Sequence, residues 1–254
     1  MFVNKWFNVR PAKGVPALRL FCFPHVGAGA SAFNLWKPTW MPNNIELWTV
    51  RLPGREQRLS ETPFRRMRPL VEALYEAMAT QLSGPYAFYG HSLGALVAFE
   101  TARKIQRQGG PGPIRLLVSA HTAPQLGLCR PVLYNLPDKE FVDALRRFAG
   151  TPEEALENED LMSIMRVALR ADFEVDETYS YEEGQPLDCP ISAFGGINDL
   201  DVSQDDLEAW KTHTSQKFSL QMMDGDHFFI FRSPDFLHRL SQELKVHLQE
   251  AIKT

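Results

Sequence analysis

Apolar residues are arranged along this chain in two rhythms. Six short runs, at 18–23, 45–52, 86–89, 114–120, 191–194 and 218–223, are rich in aliphatic, β-branched and aromatic residues and are bounded by glycine, proline or aspartate. Runs of that length and edge chemistry predict strands. Between most of them apolar side chains return every three or four positions, as at Leu70, Leu74, Met78 and Leu82, or at Leu96, Phe99 and Ile105. This spacing lines one face of a helix. The alternation predicts an α/β fold, a mostly parallel central sheet with helices on both faces. Gly109-Gly110-Pro111-Gly112-Pro113 reads as a surface loop.

The rhythm changes once. From about residue 124 to 186 no strand is predicted, and two amphipathic helices are suggested instead. One runs through Phe141, Leu145 and Phe148, the other through Leu161, Ile164, Met165, Ala168 and Leu169. Such faces must pack against something, and an insertion at the carboxyl edge of a parallel sheet also overhangs the place where these folds bind ligands. A helical lid is therefore expected, carried on a single domain spanning 1–254. That length buries one continuous core without help from disulfides or metal.

Composition narrows the function classes. With 44% hydrophobic and 23% charged residues, the chain has the balance of a folded globular protein. Its net charge of −4 argues against a nucleic-acid partner, because neutralising phosphates needs a basic face. No apolar run approaches the ~20 residues of a membrane span. The start, Met1-Phe2-Val3-Asn4-Lys5-Trp6, lacks the basic and apolar regions of a secretory signal, so a cytoplasmic location is expected. Cys22, Cys129 and Cys189 lie far apart with no metal-ligand spacing, which predicts reduced thiols and no metal site. With no heptad pattern, a monomer is expected. Arg51, Arg55, Arg58, Arg65, Arg66 and Arg68 concentrate positive charge. They read either as a steering surface for an acidic partner or as a solvated or internally paired face.

The strongest chemical signal is Gly90-His91-Ser92-Leu93-Gly94, set between a predicted strand and a predicted helix. A serine hydroxyl becomes a useful nucleophile when a tight strand-to-helix turn projects it toward a base, and such a turn needs small neighbours. In this arrangement an acid and a histidine should follow in later loops, in that order. His227, in Asp224-Gly225-Asp226-His227-Phe228-Phe229 just past the last predicted strand, is the expected base. His25, His91, His121, His213, His238 and His247 read as surface, loop or helix residues, with His25 and His91 near the site. Asp199, in the turn after the strand at 191–194, is the expected acid, with Asp201 left open as an alternative. Asp226 is disfavoured because adjacent side chains rarely converge. Leu93 should donate one oxyanion-stabilising amide and Val26, in Phe23-Pro24-His25-Val26-Gly27-Ala28-Gly29, the other. That glycine run lacks the third glycine of a dinucleotide-binding loop.

With these residues in view, the chain resembles the type II thioesterases of nonribosomal peptide and polyketide synthase clusters, members of the α/β-hydrolase superfamily. The likeness covers nearly the whole chain. Beyond the serine turn it includes Leu52-Pro53-Gly54-Arg55-Glu56 with Arg58, Ser119-Ala120 followed by Ala123-Pro124, Leu136-Pro137, Arg170-Ala171-Asp172, Gly195-Gly196 with Asp199 and Val202, Trp210, and Gly225-Asp226-His227-Phe228-Phe229. The resemblance implies a triad of Ser92, Asp199 and His227, oxyanion donors Val26 and Leu93, and a helical lid over a substrate tunnel. It implies no cofactor, and as substrates aberrant short acyl groups on the phosphopantetheine arm of acyl or peptidyl carrier proteins. Two positions depart from the pattern: Val26-Gly27-Ala28 stands where relatives usually carry Ala-Gly-Gly, and Asp226 where a glycine is common. A medium-chain fatty acyl thioesterase and a noncatalytic synthase-binding module are the alternatives.

Overall fold

The computed structural model describes residues 5–36, 42–128, 130–148, 150–233 and 235–251. A seven-stranded sheet forms from β1 (Phe7–Arg10), β2 (Leu18–Phe23), β3 (Ile45–Val50), β4 (Tyr86–His91), β5 (Leu116–Ser119), β6 (Ile191–Gly196) and β7 (Phe218–Met223) in the order β1-β3-β2-β4-β5-β6-β7. All neighbours are parallel except β1, which pairs antiparallel with β3. The six predicted runs all contain strands, with ends shifted by a few residues. β1 was not predicted, because Phe7-Asn8-Val9-Arg10 is short and buries only Phe7 fully.

The helices are α1 (Met67–Met78), α2 (Leu93–Arg107), α3 (Asp138–Phe148), α4 (Glu153–Leu156), α5 (Glu159–Glu177), α6 (Gln204–Glu208), α7 (Phe229–Arg232) and α8 (Phe236–Ala251). The strand period of two divides the sheet's side chains between two cores. Phe21, Phe23, Phe88, Leu116 and Val118 pack with α1 and α2 on one face. Leu20, Cys22, Ala87, Tyr89, Leu117 and Phe194 pack with α8 on the other. Strands buried on both faces read as continuous apolar runs, which is why β4, β5 and β6 show no polar alternation. Cys22 and Cys189 are buried free thiols, and burial pushes Cys189 up to about 12, so neither is a ready nucleophile. Cys129 lies outside the described residues.

Between β5 and β6 the chain builds a third, separate apolar cluster from α3, α4 and α5, including Phe141, Leu145, Leu156, Met162, Leu169 and Phe173. The Asn158 side chain caps α5 by accepting the Leu161 amide at 3.0 Å. The buried face of α5 differs from the predicted one. Ala168 and Leu169 are buried as expected, but Leu161 and Ile164 are exposed and Met162 takes their place. No helix among the described residues is long and apolar enough to cross a membrane.

Candidate active site

The carboxyl ends of β2, β4, β5, β6 and β7 supply the loops around one cavity of about 200 Å³, whose lining includes His25, Val26, Ser92, His121, Asp176, Asp201 and His227. Ser92 sits between β4 and α2 at φ 53, a backbone conformation that costs a non-glycine residue on the order of 1–3 kcal/mol. Its neighbours explain how the turn is possible. A Cβ on Gly90 would stand 2.5 Å from Ala95 Cα, and one on Gly94 would stand 2.7 Å from the Pro24 carbonyl oxygen. Only hydrogen fits at either place, so α2 can begin against β2 with Ser92 raised at its end. The Ser92 amide donates to Ser119 O at 2.8 Å, which ties the turn to β5.

His227 and Asp199 arrive from adjacent loops that are stitched together. The Ile197 amide donates to Met223 O and the Asn198 amide to Gly225 O, both at 2.9 Å. Gly196 permits this approach, since a Cβ there would lie 2.6 Å from Gly225 O. The result is a contact of 2.9 Å between His227 Nδ1 and Asp199 Oδ2. A carboxylate only accepts, so Nδ1 donates and the Nε2 lone pair is left for a proton from elsewhere. The Asp199 side chain is fully enclosed, and its other oxygen accepts the amides of Asp201 at 2.9 Å and Val202 at 3.3 Å. Asp201 is exposed, and partial burial raises its carboxyl from the ordinary value, opposed by His227 and aided by Asp199. Asp226 is engaged elsewhere, accepting the Phe228 amide at 2.9 Å and pairing with Arg232. Of the two predicted acids, Asp199 is the one hydrogen-bonded to His227 among the described residues.

Among the described residues neither the Val26 nor the Leu93 amide donates a hydrogen bond within the protein. Leu93 opens α2, where the first amides have no partner within the helix. The other histidines are mostly not surface residues. His91 is fully buried, its Nδ1 2.9 Å from Ser119 Oγ, with its ring 5.3 Å from that of His227. Burial first, then the neighbouring histidines, holds it well below its usual range, and burial lowers His25 to about 3. Both are therefore neutral at pH 7. His121 and His213 are also buried, His238 is exposed, and the His247 side chain lies outside the described residues.

Part of the cavity wall was not anticipated. His121 places Nδ1 2.7 Å from the Thr122 carbonyl and Nε2 3.0 Å from Asp176 Oδ1, while the other Asp176 oxygen takes Arg130 at 2.9 Å. Burial would raise the Asp176 carboxyl, but its interactions with His121 and Arg130 outweigh it and lower it. Nothing in the sequence marks this cluster, because its members lie 46 and 55 residues apart. The arginine-rich stretch is largely paired internally. Arg55 and Arg58 are buried, against Asp172 and Glu61, while Arg65 and Arg66 both reach Glu174. Arg51 donates to Asn8 at 3.1 Å, and Arg68 is exposed.

A parallel sheet that gathers its polar loops at the strands' carboxyl ends, with a strained serine opening a helix, defines an α/β-hydrolase. Residues 18–244 match the thioesterase domain family. The chain belongs to that family and is a hydrolase acting on thioester bonds. It is 43% identical over 231 residues to the gramicidin S biosynthesis protein GrsT of Aneurinibacillus migulanus, covering 91% of this chain and 90% of that protein. Among solved structures it is similar to RedJ, a thioesterase of the prodiginine pathway in Streptomyces coelicolor, with 34% identity and a TM-score of 0.85 over 92% of this chain and 95% of that one. It is also similar to YbtT, a type II thioesterase of the yersiniabactin pathway, with 30% identity and a TM-score of 0.83 over 95% and 97%.

Proposed function

We propose that this chain is a type II editing thioesterase that clears aberrant short acyl groups from the phosphopantetheine arm of carrier proteins in a peptide or polyketide synthase. The observation that carries this reading is the serine turn sharing one cavity with the hydrogen-bonded His227–Asp199 pair, in a chain that resembles thioesterases of such pathways. It works as a single domain and a monomer, with the 124–186 segment as its lid.

Ser92 Oγ attacks the thioester carbonyl carbon while its proton passes to His227 Nε2. Asp199 accepts from Nδ1 and stabilises the imidazolium that forms. The carbonyl oxygen, now negative, takes the amides of Val26 and Leu93. Collapse breaks the C–S bond, and the arm leaves as a thiol with the proton from His227. A thiol of pKa about 8.5 is a good leaving group, so little is asked of that acid step. Water then gives a proton to His227 and attacks the acyl-serine, and the acid departs as Ser92 recovers its proton. These steps need no cofactor, because the partner protein brings the acyl group on its own arm.

The cavity also supports a preference for short groups. Leu128, Leu145, Phe148, Leu169 and Phe173 give it an apolar side, but the wall includes the Arg130–Asp176 ion pair and the His121 ring hydrogen-bonded to it. A medium-length alkyl chain needs uninterrupted apolar surface, so this wall disfavours the fatty acyl alternative. The test is acyl release from carriers loaded with acetyl, butyryl and octanoyl groups. Release that favours the short groups and is lost in Ser92→Ala is expected. A wild type no faster than Ser92→Ala would leave only the noncatalytic binding module.

A further inference from the structure

Two sequence motifs take no part in these proton transfers, Pro53-Gly54-Arg55-Glu56 and Arg170-Ala171-Asp172. They meet at the loop after β2. Asp172, on the buried side of α5, receives both terminal nitrogens of Arg55, Nη1 at 2.5 Å and Nη2 at 2.7 Å. Its Oδ2 also accepts the Gly27 amide at 2.8 Å. Arg55 Nη1 in turn donates to the Ala28 carbonyl at 3.2 Å. The next residue, Glu56, accepts the amides of Ala30 at 3.0 Å and Ser31 at 2.9 Å. The loop that carries Val26 is thus gripped by charged groups along the length that follows it.

The grip bears on one peptide in particular. The Ala28 amide donates to His25 O at 3.1 Å, closing a turn with Val26 and Gly27 at its centre and Gly27 at φ 74. In such turns the central peptide plane can rotate by half a revolution between two turn types. Asp172 allows only one, because rotation would take away the Gly27 N–H and point the Val26 carbonyl toward a buried carboxylate. Leu169, three residues earlier on the same helix, fills the space a Gly27 side chain would need. A buried ion pair is weak evidence for added stability, so a role in specifying geometry fits the arrangement better.

We propose that Asp172 and Arg55 are positioning residues for thioester hydrolysis: Asp172 from α5 holds the Gly27 amide and Arg55, paired with it, holds the Ala28 carbonyl, so together they seat the turn and set where the Val26 amide at its first corner stands relative to the oxyanion. This rests on the reading of Ser92 as nucleophile and of Val26 and Leu93 as oxyanion donors. The dependence on α5 makes the oxyanion site complete only while that helix is seated on the loop.

The test compares the wild type with Asp172→Asn and with the double variant Asp172→Leu/Arg55→Met, which removes both charges and leaves none buried alone. Two probes are used. A trifluoroacetonyl thioether of pantetheine captures the oxyanion: Ser92 Oγ bonds to the ketone carbon, its proton passes to His227, and the ketone oxygen becomes the anion. S-propyl-pantetheine measures binding without any oxyanion. Both variants should hold the ketone about 100-fold more weakly, with kcat on an acyl carrier reduced by a similar factor. Binding of S-propyl-pantetheine and KM should stay within about threefold. Ketone affinity equal to wild type, or equal weakening of both probes, overturns the proposal. If the wild type forms no adduct on Ser92 by intact mass, the nucleophile reading falls as well. If Ser92 is trapped alike in all three proteins, only the positioning role falls.

Discussion

Replacing Gly94 by alanine tests how the serine turn is built. Gly94 lies in the first turn of α2, where alanine is intrinsically better than glycine by about 1 kcal/mol. Local propensity therefore predicts a gain. The surroundings predict the reverse, because the new Cβ would stand 2.6 Å from the Phe23 carbonyl carbon and 2.7 Å from the Pro24 oxygen, both rigid backbone atoms. Restoring ordinary carbon contact near ~3.5 Å requires α2 to retreat from β2 by about 1 Å. Overpacking of this kind costs about 1–3 kcal/mol, enough to cancel the propensity gain and leave a net loss of up to about 2 kcal/mol. For a chain of this length that lowers Tm by up to about 8 °C. The catalytic consequence is larger. The Leu93 amide and Ser92 move with the helix, and a displacement of about 1 Å at a reacting group costs about 100-fold in kcat. Calorimetry and steady-state release from an acyl carrier give both numbers. Gly112→Ala, where nothing lies within 4 Å, is the control for a harmless glycine replacement. A Gly94→Ala protein with wild-type kcat would refute the claim that contact between α2 and β2 sets the position of the serine.

Other substitutions probe the remaining parts of the site. Asp199→Asn should reduce kcat by about 10³–10⁴-fold through loss of the orienting carboxylate, whereas Asp201→Asn should stay within about threefold; a larger loss in the second would reverse the assignment of the acid. Stability should fall as the pH drops below about 6.5, since burial depresses His213 to about 4 in the folded protein. The unfolded chain then takes up the proton first, so the contribution is complete above the unfolded value and is lost through the window down to about 4. At pH 5 this amounts to about 2 kcal/mol, and His213→Gln should flatten the pH dependence of urea unfolding by that amount. Phe148→Ala opens the cavity beside Phe173, whose ring centre is 6.0 Å away. It should raise kcat/KM for hexanoyl relative to acetyl carriers by about tenfold, since one methylene in an apolar pocket is worth ~10-fold or more; an unchanged chain-length profile would remove Phe148 from the acyl site.

What could be read in advance follows from how locally each feature is determined. The serine turn was legible because its steric needs fall within five consecutive residues, and the two glycines that satisfy them are visible beside Ser92. His227 and Asp199 were legible because a parallel sheet delivers successive loops to one edge, so chain order becomes spatial order. The choice of Asp199 over Asp201 was not fully legible. It depends on the Asp201 and Val202 amides wrapping one carboxylate, a matter of ångströms within a single turn. Four residues of β1 escaped notice for a different reason. An edge strand that pairs on one side and buries one phenylalanine carries too little pattern to stand out from a loop.

The arginine-rich stretch shows why the sign of a residue's charge says little about its role. As a sequence, Arg55, Arg58, Arg65 and Arg66 formed one basic block that could face an acidic partner or pair internally. In the structure their partners come from two places: Glu61 from the same turn, and Asp172 and Glu174 from α5 more than 100 residues later. Whether a cation steers a partner or braces a loop depends on the dielectric around it and on the nearest anion, and both are properties of the folded chain. Arg55 and Asp172 lie in a dry environment within hydrogen-bond contact, so their interaction is local, directional and insensitive to salt, whereas the mostly exposed Arg65 and Arg66 remain open to screening. A steering role for the exposed pair should therefore weaken as salt rises, while a positioning role for the buried pair should not. Raising ionic strength should then lower kcat/KM for a carrier-borne acyl group but leave kcat, and turnover of a small acyl-pantetheine, unchanged.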